Sequence, residues 1–295
     1  MHGVGGESVK TLLEEAGFSV HVVPEQFAPD GLFPTVEFPN PEEEGAMDLA
    51  FALAQRVGAD LVIANDPDAD RLAVALPVDG GFRALNGNEV GILLGDFCMR
   101  HAEAGGGLVA ASVVSSEALG ALAAHYGFHW AQALTGFKWI MAEARRRPEH
   151  PFVFGYEEAL GYCIGGTVGD KDGISAALAF ALMARQLKAQ DSNVFERLVA
   201  IYETIGLFVS SQWVQRFEGP SATSAMARAV ERVRQRVPEQ LGELRLVKHH
   251  DYQQGTPWDA SLTADMVALN YSSDEAALRV LVRPSGTEPK VKTYF

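Results

Sequence analysis

A chain of 295 residues with 47% apolar and 21% charged side chains has the composition of folded globular protein, and its length suits two or three domains; a largely disordered chain and a coiled coil are excluded. The 38 acidic residues outweigh the 24 Lys and Arg and set the net charge at −14, which argues against nucleic acid as a partner, because phosphate backbones are met by a surplus of basic side chains. No apolar run reaches the length of a membrane span and the first residues lack a basic and apolar leader pattern, so the expectation is a cytoplasmic enzyme with no membrane partner.

In chain order, Val9, Leu12, Leu13 and Ala16 recur at helical spacing and stop at Gly17, which predicts a helix over 8–16. Residues 18–23 are strand-like and close at Pro24; residues 27–41 hold four prolines and a glycine and form an extended loop. Glu42, Glu43 and Glu44 open a predicted helix over 42–57, where acids suit the positive helix N-terminus. Largely apolar runs at 59–64 and 72–77 read as buried strands, and the βα alternation implies a parallel sheet. A second block begins near Leu85. It alternates helices over 89–103, 116–126, 139–147, 173–189 and 194–202 with strands over 108–114 and 152–154. A third block from residue 207 has a strand-like start, one helix over 222–237 and strands over 244–248, 266–271 and 277–282. The predicted fold class is therefore α/β: successive α/β domains with mixed or parallel sheets, then a smaller α+β C-terminal domain. Cys98 and Cys163 lack any CxxC spacing and read as two buried thiols, and Trp130, Trp139, Trp213 and Trp258 as core.

Five segments can carry chemistry. The sharpest is Asn65-Asp66-Pro67-Asp68-Ala69-Asp70-Arg71, directly after a buried strand. Carboxylates at i, i+2 and i+4 in a tight loop can converge on one hard cation such as Mg²⁺ or Ca²⁺, although a solvated Asp-rich turn has the same letters. An EF-hand is excluded, since Arg71 stands where that loop needs Gly and Pro77 where it needs Glu. Arg71 is either an ion-pair partner of these acids or a fork for phosphate. The second segment, Arg283-Pro284-Ser285-Gly286-Thr287-Glu288-Pro289-Lys290, combines a guanidinium, two hydroxyls and a glycine that allows close backbone approach, the makings of an anion nest or of a generic polar turn. Gly155-Tyr156-Glu157-Glu158-Ala159-Leu160-Gly161 offers paired glutamates that can accept from sugar hydroxyls or be ion-paired. Gly169-Asp170-Lys171-Asp172-Gly173 and Thr135-Gly136-Phe137-Lys138-Trp139 each precede a helix and mean little singly. Arg145-Arg146-Arg147 suits a helix C-terminus, and His249-His250 lacks ligand spacing.

Taken together and in order, these loops resemble those of the α-D-phosphohexomutases, the phosphoglucomutase/phosphomannomutase superfamily. His2-Gly3-Val4-Gly5-Gly6 also matches, and the resemblance runs over essentially the whole chain. It implies three of the family's four domains: a partial domain 2 at 1–83, domain 3 at 84–206 and a C-terminally short domain 4 at 207–295. It further implies that Asp66, Asp68 and Asp70 hold Mg²⁺ with a phosphoserine as a further ligand, and that Arg71 and Lys171 serve catalysis. Thr135, Gly136, Lys138 and Glu157 would bind the sugar, and Arg283, Ser285, Gly286 and Thr287 its non-reacting phosphate. The implied substrate partner is a hexose phosphate, glucose phosphate before mannose or pentose phosphate, with glucose 1,6-bisphosphate as activator. The family's Ser two positions after the sugar-binding Glu is Ala159 here, which removes one hydrogen bond. No Ser-His pair, the signature of the family's phosphoserine loop, occurs in the chain, so the expectation is a mutase part inactive alone. Two rivals remain at this level. One is a Mg²⁺-dependent phosphatase of haloacid-dehalogenase type, against which Asp70 counts by standing where Thr or Val is usual. The other is a non-catalytic sugar-phosphate-binding module.

Overall fold

The computed structural model describes residues 1–103, 106–286 and 288–295, and the chain divides into two compact units, Met1–Phe208 and Val209–Phe295. The first unit begins with α1 (Gly6–Glu15), the short α2 (Pro24–Phe27) and α3 (Asp48–Val57). Strands β1 (Val62–Ala64), β2 (Ala73–Val78) and β3 (Gly81–Ala84) follow, then α4 (Gly87–His101), β4 (Leu108–Ser112), α5 (Ala118–Tyr126), β5 (His129–Ala133) and α6 (Phe137–Arg146). Strands β6 (Phe152–Glu157) and β7 (Gly161–Ile164) and helices α7 (Gly173–Lys188) and α8 (Val194–Ile205) complete it. None of the helices among the described residues is long and apolar enough to cross a membrane.

Two sheets carry this unit. β1, β2 and β3 form an antiparallel ribbon, with Val62 opposite Ala75 and Ala75 opposite Ala84. The parallel sheet expected for this block is thus corrected: the loop over 65–72 is too short for the crossover that a parallel return needs, so β2 comes back antiparallel to β1. The strand expected over 18–23 is also absent. It finds no described strand to exchange hydrogen bonds with, and without a ladder an apolar run is not a strand. The helix expected from residue 42 starts at Asp48, because Gly45 (φ +78°) lies in the left-handed region and no helix passes through it. The second sheet has the order β5-β4-β6-β7, with β4 parallel to β5 and β6, and β7 antiparallel to β6. All five residues of β4 are buried, as expected of a central parallel strand covered on both faces.

Local chemistry sets the ends of these elements. Asn86 and Glu89 form a reciprocal capping box on α4, Asp172 accepts from Ile174 N at 3.0 Å at the start of α7, and Asn193 accepts from Glu196 N at 3.0 Å at the start of α8. A single apolar core then joins both sequence blocks: Leu72 and Val74 of the ribbon region share it with Leu93 and Leu94 of α4, Tyr156 and Tyr162 of the second sheet, and Phe180 of α7. The loop between β1 and β2 is therefore carried on the same packed body as the loops of the second sheet. A smaller cluster under the opposite face joins Leu108, Ala131, Phe137, Ile140 and Cys163.

The second unit contains β8 (Gln212–Arg216), α9 (Ala222–Gln235), β9 (Gln240–Leu241), β10 (Leu244–Asp251), β11 (Val267–Ser272), β12 (Ala277–Pro284) and β13 (Lys290–Tyr294). They build an antiparallel sheet in the order β8-β13-β12-β11-β10-β9, and α9 packs Val230 against Val267, Leu269, Val280 and Val291. Trp213, expected in the core, is 56% exposed, because β8 is an edge strand and α9 covers only one face of the sheet. The other three tryptophans are half-buried.

One polar feature is deep in the first unit. Asp96 of α4, 1% exposed, accepts from Arg197 Nε of α8 at 2.8 Å and from the Tyr126 hydroxyl of α5 at 2.8 Å, with Arg100 at 3.4 Å. Removing one partner of a buried pair leaves an uncompensated charge. Arg197→Ala is expected to destabilise the unit by about 3 kcal/mol, read as a lowered urea midpoint, and Asp96→Asn in the same chain to recover part of the loss.

Candidate functional site

The Asp-rich loop takes its shape from its own side chains and from three glycines. Ala69 N donates to Asp66 O at 3.1 Å, Arg71 N to Asp66 Oδ1 at 3.1 Å, and Asn65 Nδ2 to Arg71 O at 2.6 Å. Ala69 adopts φ +58°, a strained choice for a residue with a Cβ that the surrounding bonds over-determine. Outside the loop, Val4 N donates to Pro67 O at 2.8 Å and Gly173 N to Ala69 O at 3.0 Å. A Cβ on Gly3 would lie 2.4 Å from Pro67 O, on Gly5 2.3 Å from the Ala69 Cβ, and on Gly173 2.1 Å from Arg71 O. The loop is thus pressed between the N-terminal glycines and the start of α7, at distances that exclude side chains there.

The result is convergence. One carboxylate oxygen from each of Asp66, Asp68 and Asp70 lies within 4.8 Å of the others; Asp66 is buried, Asp70 half-buried and Asp68 exposed. Burial, reinforced by the charges of Asp68 and Asp70, pushes the Asp66 carboxyl up to about 6, against the opposing pull of the Arg71 backbone N–H and guanidinium. The donor set is all carboxylate oxygen, clustered and under mutual repulsion, which fits a hard divalent cation.

Two cations frame the cluster. Arg71 reaches Asp66 Oδ2 at 3.4 Å and Asp70 Oδ1 at 3.8 Å through Nε, with its side chain 35% exposed. Lys171 Nζ lies 2.8 Å from Asp70 Oδ2 and 3.8 Å from Asp170 Oδ1. Burial alone would lower the Lys171 ammonium, but its hydrogen bond to Asp70 and the charges of Asp70, Asp170 and Glu157 outweigh that and hold it above the ordinary lysine value. Its methylene stem crosses Gly161, where a Cβ would sit 2.4 Å from Lys171 Cδ, and its ammonium stands 6.0 Å over the Phe137 ring. Gly161 and Gly173 were not singled out as site residues from sequence; the available signal was that each stands at the edge of a polar loop, and only the packing shows that the bare backbone is needed.

Lys171 thereby links the Asp loop to the end of the second sheet. Glu157, buried at the C-terminal end of β6, accepts from Gly136 N at 2.6 Å. Gly136 has φ +111°, a conformation that needs glycine, and stands at the N-cap of α6. Thr135 beside it is half-buried, whereas Lys138 is exposed and lies over the Trp139 ring at 5.4 Å. Arg71 and Gly161 form an isolated bridge, and Leu72 N donates to Leu160 O at 3.0 Å, so the Asp loop and the 157–161 turn share backbone bonds as well.

The remaining predicted residues lie in the second unit. Arg283 stands near the end of β12 opposite Lys292, and Ser285 N donates to Lys290 O at 2.8 Å, which closes the turn. Gly286 is exposed with open space around it; Thr287 lies outside the described residues. Glu288, ion-paired to Lys290 and 3.7 Å from Arg216, has its carboxyl held below the ordinary value first by the Lys290 hydrogen bond and then by its charge. The loop is a turn between antiparallel strands rimmed by Arg216, Arg283, Lys290 and Lys292, the composition of an anion-binding rim.

Comparison with known proteins places these features in context. A family model described as phosphoglucomutase/phosphomannomutase, alpha/beta/alpha domain II, matches residues 1–79, and the model for alpha/beta/alpha domain III of the same family matches residues 86–202. A Haemophilus influenzae protein named "Probable phosphomannomutase" is 40% identical over 298 residues, covering 100% of this chain and 58% of its own length. The phosphopentomutase of Mus musculus is 34% identical over 318 residues, covering 100% of this chain and 51% of its own. The chain thus spans about half the length of these curated relatives. Among solved structures, the open form of pp63/parafusin, a phosphoglucomutase from Paramecium, matches with a TM-score of 0.70 at 20% identity, over 100% of this chain and 51% of that one, which shows a shared fold.

The raised Asp66 carboxyl has a sign that can be tested. The folded protein holds a proton there that the unfolded chain releases near 3.8, so without metal its contribution falls as pH rises from about 4 through about 6. In EDTA, the urea midpoint is expected to drop over that window, Asp66→Asn to flatten the drop and stabilise the protein at pH 7 by on the order of 1–2 kcal/mol, and added Mg²⁺ to restore the wild-type midpoint only above about pH 6.

Proposed function

The chain belongs to the phosphoglucomutase/phosphomannomutase family, and from that premise we propose that it supplies the metal-, sugar- and phosphate-binding groups of a phosphohexomutase. The reaction is the interconversion of hexose 1-phosphate and hexose 6-phosphate, glucose phosphate being the favoured substrate, by way of a bisphosphorylated sugar. The observation that carries this reading is the 2.8 Å pair between Lys171 and Asp70, which joins the carboxylate loop to the Glu157 and Gly136 loops on one packed body.

Asp66, Asp68 and Asp70 would hold Mg²⁺, which when bound supplies positive charge to the phosphoryl group in transfer. Arg71, engaged through Nε and half-exposed, presents its outer N–H groups to phosphoryl oxygens and adds to that charge. Lys171, its proton strengthened by Asp70, donates a hydrogen bond rather than removing a proton, and stabilises negative charge on an oxygen of the substrate. The Glu157 carboxylate, oriented by Gly136 N, accepts from sugar hydroxyls, with Thr135 and Lys138 at the edge of the same loop. With Ala159 in place of a hydroxyl-bearing residue, one contact that discriminates between epimers is lost, so tolerance of glucose, mannose and pentose phosphates is expected to be broad. In the second unit, Arg283, Ser285, Gly286 and Thr287 hold a phosphate that is not being transferred.

Two outcomes test this reading. Arg283→Lys keeps the charge but loses the bidentate fork, so the affinity of this chain for a sugar monophosphate should weaken by about 1–3 kcal/mol, measured by calorimetry in EDTA. Second, transfer through a covalent carrier needs a nucleophile in line with phosphorus, and the chain holds no Ser-His pair. With glucose 1-phosphate, Mg²⁺ and a trace of glucose 1,6-bisphosphate, the 295-residue chain alone is expected to bind but to form glucose 6-phosphate only at background. Release of free phosphate instead would point to a phosphatase, and absence of sugar phosphate binding would end the proposal.

A further inference from the structure

Strand β6 ends on Glu157, and the turn after it opens on a second glutamate, Glu158. Glu157 turns toward the β5–α6 connection and takes the Gly136 N–H; Glu158 turns the other way, toward the β4–α5 connection, and does something else. Its Oε2 lies 3.1 Å from Ser112 Oγ and 3.2 Å from Ser115 Oγ, the two hydroxyls are themselves 2.7 Å apart and share their two protons among these three contacts, and Glu158 N donates to Ser115 Oγ at 3.0 Å. Ser112 is 1% and Ser115 2% exposed, so these hydroxyls have no access to water and depend on internal partners. On the other side, α4 presses directly on the Glu158 backbone: a Cβ on Gly87 would sit 1.7 Å from Glu158 O. Two residues later Leu160 is forced to φ +63°, and its carbonyl accepts from Leu72 N beyond the Asp loop.

We propose that Glu158 is a positioning residue: through Ser112 and Ser115 it pins the end of β6, so that Glu157 stays bonded to Gly136 N and the strained turn keeps its contact with the Asp loop. The proposal rests on the assignment of Glu157 to the sugar, but the positioning itself can be read without any sugar. A backbone turn holding a left-handed leucine persists only where its surroundings leave no alternative, and the clamp on Glu158 is the side-chain bond nearest its start. The clamp asks for an acceptor rather than for charge, since both hydroxyls converge on a single oxygen. Glutamine can supply that oxygen; alanine cannot.

The experiment is amide hydrogen exchange at Gly136 in the 295-residue chain, together with calorimetric binding of glucose 1-phosphate and of inorganic phosphate. Glu158→Ala is expected to speed Gly136 exchange at least tenfold and to weaken glucose 1-phosphate tenfold or more, leaving inorganic phosphate within twofold. Glu158→Gln should stay within threefold of the parent in all three readings. The Ser112→Ala, Ser115→Ala double variant, which removes the donors and spares the turn's own side chain, should match Glu158→Ala, and combining the two should add nothing further; it also serves if Glu158→Ala fails to fold. Unchanged Gly136 exchange in the serine double variant, or equal loss of both ligands, overturns the positioning role. If instead Glu157→Ala leaves glucose 1-phosphate binding intact, the sugar assignment fails, and Gly136 exchange still decides the role of Glu158.

Discussion

Three carboxylates within 4.8 Å of one another are the constraint around which the first unit is arranged. At an effective dielectric constant near 20, each such pair of full charges repels by on the order of 3 kcal/mol. In a chain already carrying net charge −14, this repulsion has no distant basic surplus to offset it. The fold meets it locally in two ways. It lets Asp66 hold its proton to about pH 6, and it brings Arg71 and Lys171 against the remaining acids. Both responses leave the loop poised for a divalent cation, which would relieve the same repulsion more completely than either.

Lys171 can reach Asp70 only because the backbone around it is bare. Its stem passes over Gly161, and Gly173 lets α7 begin against the carbonyl of Arg71. The same economy appears at Gly3 and Gly5 on the far side of the loop. These glycines act through close approach, since among them none needs positive φ. Gly136 is the opposite case: its φ of +111° lets it aim its N–H at the buried carboxylate of Glu157. Close backbone contacts, with the Lys171–Asp70 pair, set the distance between the Asp loop and the 157–161 turn.

This explains why the two sequence blocks of the first unit share one core. Were the Asp loop and the Glu157 turn on bodies packed separately, the bonds from Leu72 N to Leu160 O and from Gly173 N to Ala69 O would join surfaces free to slide. Burying Leu72, Val74, Tyr156, Tyr162 and Phe180 together removes that freedom. The buried Asp96–Arg197–Tyr126 group ties α4, α5 and α8 together within the same unit.

The amino-acid order by itself determined what depends on near neighbours. The i, i+2, i+4 spacing of the aspartates, the apolar strand over 108–114 and the order of the loops that mark the family are all local patterns. What only the tertiary structure decided depends on partners far apart in the chain. Residues 18–23 have strand composition but no described ladder to join, and β1 pairs antiparallel with β2 itself across the loop over 65–72. Trp213 is exposed because its strand lies at a sheet edge, which no side-chain pattern announces. Glu157 and Glu158 read from sequence as an equivalent pair; the fold separates them, one to the backbone N–H of Gly136, 21 positions earlier, and the other to two buried serines more than 40 positions earlier. A hydrogen bond of that span costs the chain loop-closure entropy that the global core must offset, so its partner is chosen by the packed fold and not by the residues beside it.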